Sequence, residues 1–257
     1  MFTIMLDAGH GLYTSGKRCL KAFDPNETRE WKLNSRICEK IETLLNAYDG
    51  VSVIRADDRT GKRDIPLQER TDSANRLGVD FYLSVHHNAG VNGGSGGGPV
   101  TIAYTKASAK SLEYQKIVHR CFVEAVGEFG NRSDSMPKQN LHVLRETNMP
   151  AVLIECGFMD SKTDVPLILS ESFAEKAAQG LTNALVEIGK LKKKEEAEVE
   201  EKFVDIKGHY AEKAIKDLYA FGIVNGVDDT HFAPDMPVTR AQVAVIARNV
   251  IRYITGE

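Results

Sequence analysis

Phe2-Thr3-Ile4-Met5-Leu6-Asp7-Ala8-Gly9-His10-Gly11 is an apolar run rich in strand formers that breaks at Gly-His-Gly. Such a run predicts a buried strand ending in a tight loop, with the His10 imidazole held at the strand's carboxyl end. In open α/β sheets that end is where ligands and reacting groups collect. A lone His is more often a hydrogen-bonded core or surface residue, so the meaning of His10 depends on whether other ligand-type residues converge on it.

Downstream the pattern repeats. Asp24-Pro25-Asn26-Glu27 predicts a helix start, with Asp24 as N-cap, Pro25 at the first helical position and Glu27 closing a capping box. The helix then runs to about Leu45, with Leu33, Ile37, Ile41 and Leu44 on its inward face; Glu30 continues that apolar stripe, an unusual place for a solvating carboxylate. Val51–Ile54 reads as a second strand and Leu67–Leu77 as a helix. Asp80–Val85 reads as a third strand, and it ends at His86-His87-Asn88. Neighbouring side chains in an extended segment point to opposite sides, so only one of these two imidazoles can enter a given site.

Asn92–Gly98 is glycine-rich, but no Lys-Ser/Thr follows it and the next segment, Val100–Tyr104, looks like a strand. A phosphate loop needs a helix amino terminus there, so a flexible loop beside a groove is expected instead. Helical periodicity covers Ala109–Phe129, Leu141–Leu144 looks extended, and Met149–Phe158 is the most strand-like run in the chain. Glu155 near its end is costly to bury unless paired or beside a metal. An amphipathic helix over Phe173–Leu191 closes the unit. Strands alternating with helices over residues 1–189 predict an α/β fold, a mostly parallel sheet covered by helices on both faces. Residues 190–202 are almost wholly charged and predict a solvated helical linker, and a small, mainly helical module follows at 203–257.

Composition narrows the partners. A formal net charge of −3 gives no basic footprint, so no nucleic acid and no membrane surface is expected as a bulk partner. The amino terminus lacks a signal peptide's basic start and long apolar centre, which predicts synthesis in the cytoplasm. The four cysteines, Cys19, Cys38, Cys121 and Cys156, form no Cys-x-x-Cys pair and are expected to be reduced and mostly buried.

His10, His86 and Glu155 thus fall at carboxyl ends of predicted strands, with Glu30 early in the helix after the first. Two imidazoles and a carboxylate suit catalytic Zn²⁺ with an open position for water, and a further carboxylate is needed to move protons. Their order reads as a metal-dependent hydrolase of an amide-like bond.

Asp7-Ala8-Gly9-His10-Gly11, Glu30-Trp31-Lys32-Leu33-Asn34, Leu67 with Arg70, Ser84–Ala89 and Pro150–Phe158 together resemble, in order and spacing, the zinc-dependent N-acetylmuramoyl-L-alanine amidases of the type 3 family. The resemblance implies His10, Glu30 and His86 as zinc ligands and Glu155 as the catalytic residue. Glu27 is the rival to Glu30, but it lacks an Asn four residues on. Asn88, His142 and Arg145 are candidates for lining the substrate site. The implied substrate is peptidoglycan, cut between muramic acid and L-alanine, as by an endolysin or autolysin acting at the bacterial cell wall after release. Residues 203–254 resemble one S-layer homology module, which implies binding to a cell-wall polymer. Modules of this type act in threes, so a homo-oligomer is one expectation for a chain showing a single copy. His209 and His231, within it, are expected to be structural. The alternatives are a zinc peptidase cutting within the stem peptide or cross-bridge, a non-catalytic wall-binding protein, and a cysteine hydrolase using Cys156.

Overall fold

A computed structural model describes residues 1–194 and 202–255. It divides into two compact units, Met1–Lys193 and Lys194–Glu257. The first runs β1 (Phe2–Ala8), α1 (Glu30–Leu45), β2 (Val51–Arg55), α2 (Leu67–Leu77), β3 (Phe81–Asn88), β4 (Val100–Tyr104), α3 (Ala109–Val126), β5 (Lys138–Gln139), α4 (His142–Arg145), β6 (Ala151–Phe158), α5 (Val165–Ile168) and α6 (Glu171–Gly189).

The strands form one sheet in the order β2-β1-β3-β6-β4-β5. The pairs β1–β2, β1–β3 and β3–β6 are parallel, each parallel neighbour being reached through a helix. β4 lies antiparallel to β6. The stretch joining β3 to β4 holds no helix, and a parallel return needs a crossover of a dozen or more residues. The sheet is therefore mostly parallel and helix-covered, as expected.

Strand alternation divides the interior into two cores. Ile4, Leu6 and Ala8 of β1, Phe81, Leu83 and Val85 of β3, and Val152, Ile154 and Cys156 of β6 pack with α1, α3 and α6. Met5, Tyr82, Ala151 and Leu153 face the other way, with Ala74 of α2 and Val143 and Leu144 of α4. Truncating a fully buried residue such as Ile154 would cost about 2–5 kcal/mol. The period of two also decides where the polar residues go: Asp7, Tyr82, Ser84, His86 and Glu155 fall on the second face. The four cysteines are free and buried.

Several local expectations give way. The first helix begins at Glu30, not at Pro25. Asp24 caps a turn, accepting from the backbone N–H of Asn26 and Thr28, while Glu27 sits at φ 47° and pairs with Arg18 at 3.0 Å. A left-handed residue cannot belong to an α-helix, so the capping box does not form. Leu141–Leu144 is not extended: His142–Arg145 is a single helical turn burying Val143 and Leu144. Helix α2 forms over Leu67–Leu77 as expected, burying Arg70, Thr71 and Ala74 while Leu67 and Leu77 stay about half exposed. The glycine-rich loop is irregular but pinned: the Asp160 carboxylate accepts from Gly90 and Asn92, and that of Asp164 from Gly98. After Lys190, in the left-handed conformation, residues 191–194 are not helical. The rest of the expected linker helix, residues 195–201, lies outside the described residues.

The second unit holds α7 (Glu212–Ala220) and α8 (Arg240–Thr255); Phe203, Ile206 and the α7 residue Ile215 form its small core, with Tyr219 and Phe232 packed against them. A capping box opens the second of these helices. Thr239 Oγ1 accepts from the Gln242 N–H at 3.2 Å, and Gln242 Oε1 accepts from the Thr239 N–H at 2.8 Å. Asp205 accepts from the N–H groups of Phe232 and Ala233, fixing the turn before α8. His209 caps its own turn through the Ala211 N–H, and His231 lies 3.2 Å from Asp228. Among the described residues, no helix is long and apolar enough to cross a membrane.

Candidate metal centre

β1 ends at Ala8, and the chain then turns sharply through Gly9, His10 and Gly11. A Cβ on Gly9 would stand 2.0 Å from the His86 ring, so only glycine lets the loop pass so close to β3. His10 itself takes the left-handed conformation, φ 68°, uncommon for a residue with a side chain. Asn34, one turn after Glu30 on α1, donates from Nδ2 to the Gly9 carbonyl at 3.1 Å and ties helix to loop.

Glu30, as the first residue of α1, puts its carboxylate where the helix dipole favours negative charge. It is buried between the imidazoles: Oε2 is 3.4 Å from His10 Nε2, and Oε1 is 3.0 Å from His86 Nδ1. The His87 N–H donates to Oε1 at 3.2 Å. Burial alone would raise the Glu30 carboxyl, but the neighbouring His10 and His86 imidazoles outweigh it and hold the group well below the ordinary carboxylate range. Burial likewise works against a charged His86, and the Glu30 hydrogen bond prevails, so His86 sits above its usual value. The two imidazole rings meet edge-on, with centroids 5.0 Å apart.

One donor atom from each of His10, Glu30 and His86 lies within 4.8 Å of the others. Glu30 Oε2 has no hydrogen-bond partner although it is buried, and neither does Glu155 Oε2. A buried carboxylate oxygen without a hydrogen bond, beside two imidazole nitrogens, is what a divalent cation would satisfy, so these residues fit one.

His86 registers opposite Glu155 on β6. Burial pushes the Glu155 carboxyl up to about 7; His86 works against that rise and Glu30 adds to it. Glu155 shares a cavity of about 270 Å³ with Lys17, His87 and Asn88. A second cavity, about 340 Å³, is lined by Gly9, His10, Asp64, Pro66, Arg70 and His86, among others. Lys17 Nζ is 3.7 Å from Glu30 Oε2, a basic neighbour that nothing in the sequence pattern marks.

His87 does not join the cluster. It is 2% exposed, with Nδ1 2.8 Å from Asn34 Oδ1, and burial depresses its pKa to about 3. It is thus a neutral structural histidine, not the exposed loop residue its position suggests. His142 and Arg145 also stand apart: His142 Nε2 is 3.4 Å from Thr71 Oγ1, and Arg145 pairs with Glu146 and donates to Asn140. Cys156 is fully buried on the opposite face of β6 from Glu155, its thiol pushed well up by burial, so a cysteine hydrolase has no geometric support. Sequence reading alone missed the role of Asn34, although its spacing of four from Glu30 put both on one face of α1.

Fold and donor set together define an α/β domain whose sheet carries a cation-type site at its carboxyl edge. The family model for N-acetylmuramoyl-L-alanine amidase matches residues 4–187, and the chain belongs to that family. A second model, for the S-layer homology domain, matches residues 202–244. The chain is 36% identical over 194 residues to the sporulation-specific N-acetylmuramoyl-L-alanine amidase of Bacillus subtilis, covering 75% of this chain and 70% of that one. It is 32% identical over 191 residues to the endolysin of Bacillus phage SPP1, covering 74% and 67%. Among solved structures, an N-acetylmuramoyl-L-alanine amidase from Clostridium difficile superposes with a TM-score of 0.66 at 30% identity, over 74% of this chain and 97% of that one.

Proposed function

We propose that this chain is a peptidoglycan hydrolase that cuts the amide joining N-acetylmuramic acid to L-alanine, with His10, Glu30 and His86 holding Zn²⁺ and Glu155 handling the protons. One observation carries the reading: donor atoms of His10, Glu30 and His86 lie within 4.8 Å of one another, and His86 registers with Glu155, a largely enclosed carboxylate of raised pKa. When bound, zinc supplies Lewis acidity toward the scissile carbonyl and makes water acidic enough to ionise near neutral pH.

The protein's own groups do the rest. With its carboxyl near 7, Glu155 is basic enough to take a proton from water and acidic enough to give it to the departing amine. Glu30 stays ionised and supplies the negative charge among the donors. His87, held neutral against Asn34, keeps α1 and the Gly9 turn in place without adding charge. Asn88 and Lys17 line the cavity in which Glu155 meets the substrate.

The S-layer homology domain holds the enzyme on a wall polymer, and the chain acts at the bacterial cell wall. Assembly of several chains through this module belongs to the same reading: none of α8 is buried, although Val243, Ile251 and Tyr253 are large and apolar. Digesting purified walls with and without a chelator, followed by mass spectrometry of the new termini, tests the activity. Intact stem peptides beginning at L-alanine, appearing only without chelator, are expected. New termini inside the stem peptide or cross-bridge would refute it.

A further inference from the structure

Arg70 is the largest fully buried side chain described in the protein, 1% exposed in the middle of an otherwise polar-faced helix. Burying a guanidinium costs several kcal/mol unless its charge and donors are met. Here all five N–H donors are. Nε donates to the Ile65 carbonyl at 2.8 Å. Nη1 donates to Asp7 Oδ1 and to the Ala8 carbonyl, and Nη2 to the His10 carbonyl at 2.9 Å and to Asp64 Oδ1 at 3.1 Å.

The two carbonyls of the 8–10 turn that Arg70 grips flank Gly9. Between them lies the turn that passes against the His86 ring, and after it the left-handed His10. A left-handed conformation outside glycine costs about 1–3 kcal/mol and persists only where its surroundings over-determine it. The other anchor of the clamp leads back to the centre. Asp7 Oδ2 accepts from Tyr82 Oη at 3.0 Å and Ser84 Oγ at 2.7 Å, both on β3, the strand that carries His86. Guanidinium and carboxylate together therefore lock the His10 loop to the His86 strand.

We propose that Arg70 is a positioning residue for the metal centre, its buried guanidinium fixing the Ala8 and His10 carbonyls and thereby where the His10 imidazole stands relative to Glu30 and His86. This rests on the zinc reading above. A lysine at 70 would keep the charge, but one ammonium with three donors cannot span acceptors on five residues.

The test compares full-length wild type and Arg70→Lys after chelation, by zinc competition against a chromophoric chelator and by the visible spectrum of the Co²⁺-loaded protein. Wild type is expected to take up one zinc. Arg70→Lys should bind zinc about 10- to 100-fold more weakly, the usual effect of disturbing groups that orient metal ligands, with shifted Co²⁺ bands. Its kcat should fall more than its KM changes. A variant that is merely less stable, with unchanged zinc affinity and Co²⁺ spectrum, would make Arg70 a core strut and overturn the proposal. If Arg70→Lys does not fold, Asp64→Asn reads the same clamp, because Asp64 shares Nη2 with the His10 carbonyl and is 44% exposed. A severalfold loss of zinc affinity is expected there, and none would overturn the proposal. Wild type that takes up no zinc at all would overturn the zinc reading itself, an outcome distinct from equal binding by both proteins.

Discussion

Replacing Glu155 by Gln should make the protein inactive and, above neutral pH, more stable. The structure gives the magnitude. Burial lifts the Glu155 carboxyl from 4.5 to about 7, equivalent to about 3 kcal/mol at roughly 1.4 kcal/mol per unit. The residue is partly exposed, so solvent screening reduces this to about 1–3 kcal/mol. The sign follows from proton linkage. In the native state Glu155 keeps a proton that the unfolded chain releases between pH 4.5 and about 7. Stability therefore falls as pH rises through that window, and the full penalty is present above about 7. Glu155→Gln has no such proton, so its denaturant-unfolding free energy should fall less than wild type's between about pH 5 and about pH 8, by the same 1–3 kcal/mol. The packing cost of the amide cancels in that difference, and both proteins are measured with chelator present. Wall lysis by the zinc-loaded variant should drop at least about 100-fold, the lower range for losing a general acid–base group. Equal pH dependence in the two proteins would show that Glu155 is not held protonated by its surroundings. Full lysis would remove it from the chemistry.

Three further perturbations separate roles that adjacent residues confuse. His86→Ala should abolish stoichiometric zinc uptake, whereas His87→Ala should keep it. Because native His87 stays neutral down to about 3 while the unfolded chain binds a proton below 6.5, wild type loses stability as pH falls through that range. Acid titration of the chelated His87→Ala protein should show a shallower loss, and an unchanged one would place His87 in water. Gly9→Ala drives a methyl into the His86 ring, so zinc affinity measured by chelator competition should fall at least about tenfold; wild-type affinity would mean the loop yields freely. Asp205→Ala frees the turn before α8 at a cost of about 1–3 kcal/mol to the second unit; wall sedimentation should weaken while hydrolysis of soluble muropeptides stays unchanged. Undiminished sedimentation would separate that unit from wall binding.

What residue order alone determined was whatever depends on period and sign of hydropathy. Alternating strands and helices gave the mostly parallel sheet. The break after Ala8, the His86-His87-Asn88 end of the third strand and the acid toward the end of the 151–158 run put His10, His86 and Glu155 near one edge, because parallel strands send their carboxyl ends to one side. The capping box at Thr239 was equally legible, being built within four residues. The helix start was not: Asp24-Pro25-Asn26-Glu27 offers the same local signals to a turn as to a helix, and the left-handed Glu27 decided for the turn. Tertiary structure alone made the remaining choices. Strand alternation alone left His86 and His87 open until the resemblance favoured His86, and the packing put His86 in the cluster and His87 against Asn34, since the face a strand residue takes depends on register with its neighbours. It made Arg70, an ordinary charged residue on a weakly apolar helix, the buried clamp of the Gly-His-Gly turn. It also set the Glu155 pKa, because desolvation comes from everything packed around a carboxyl and from no single stretch of chain.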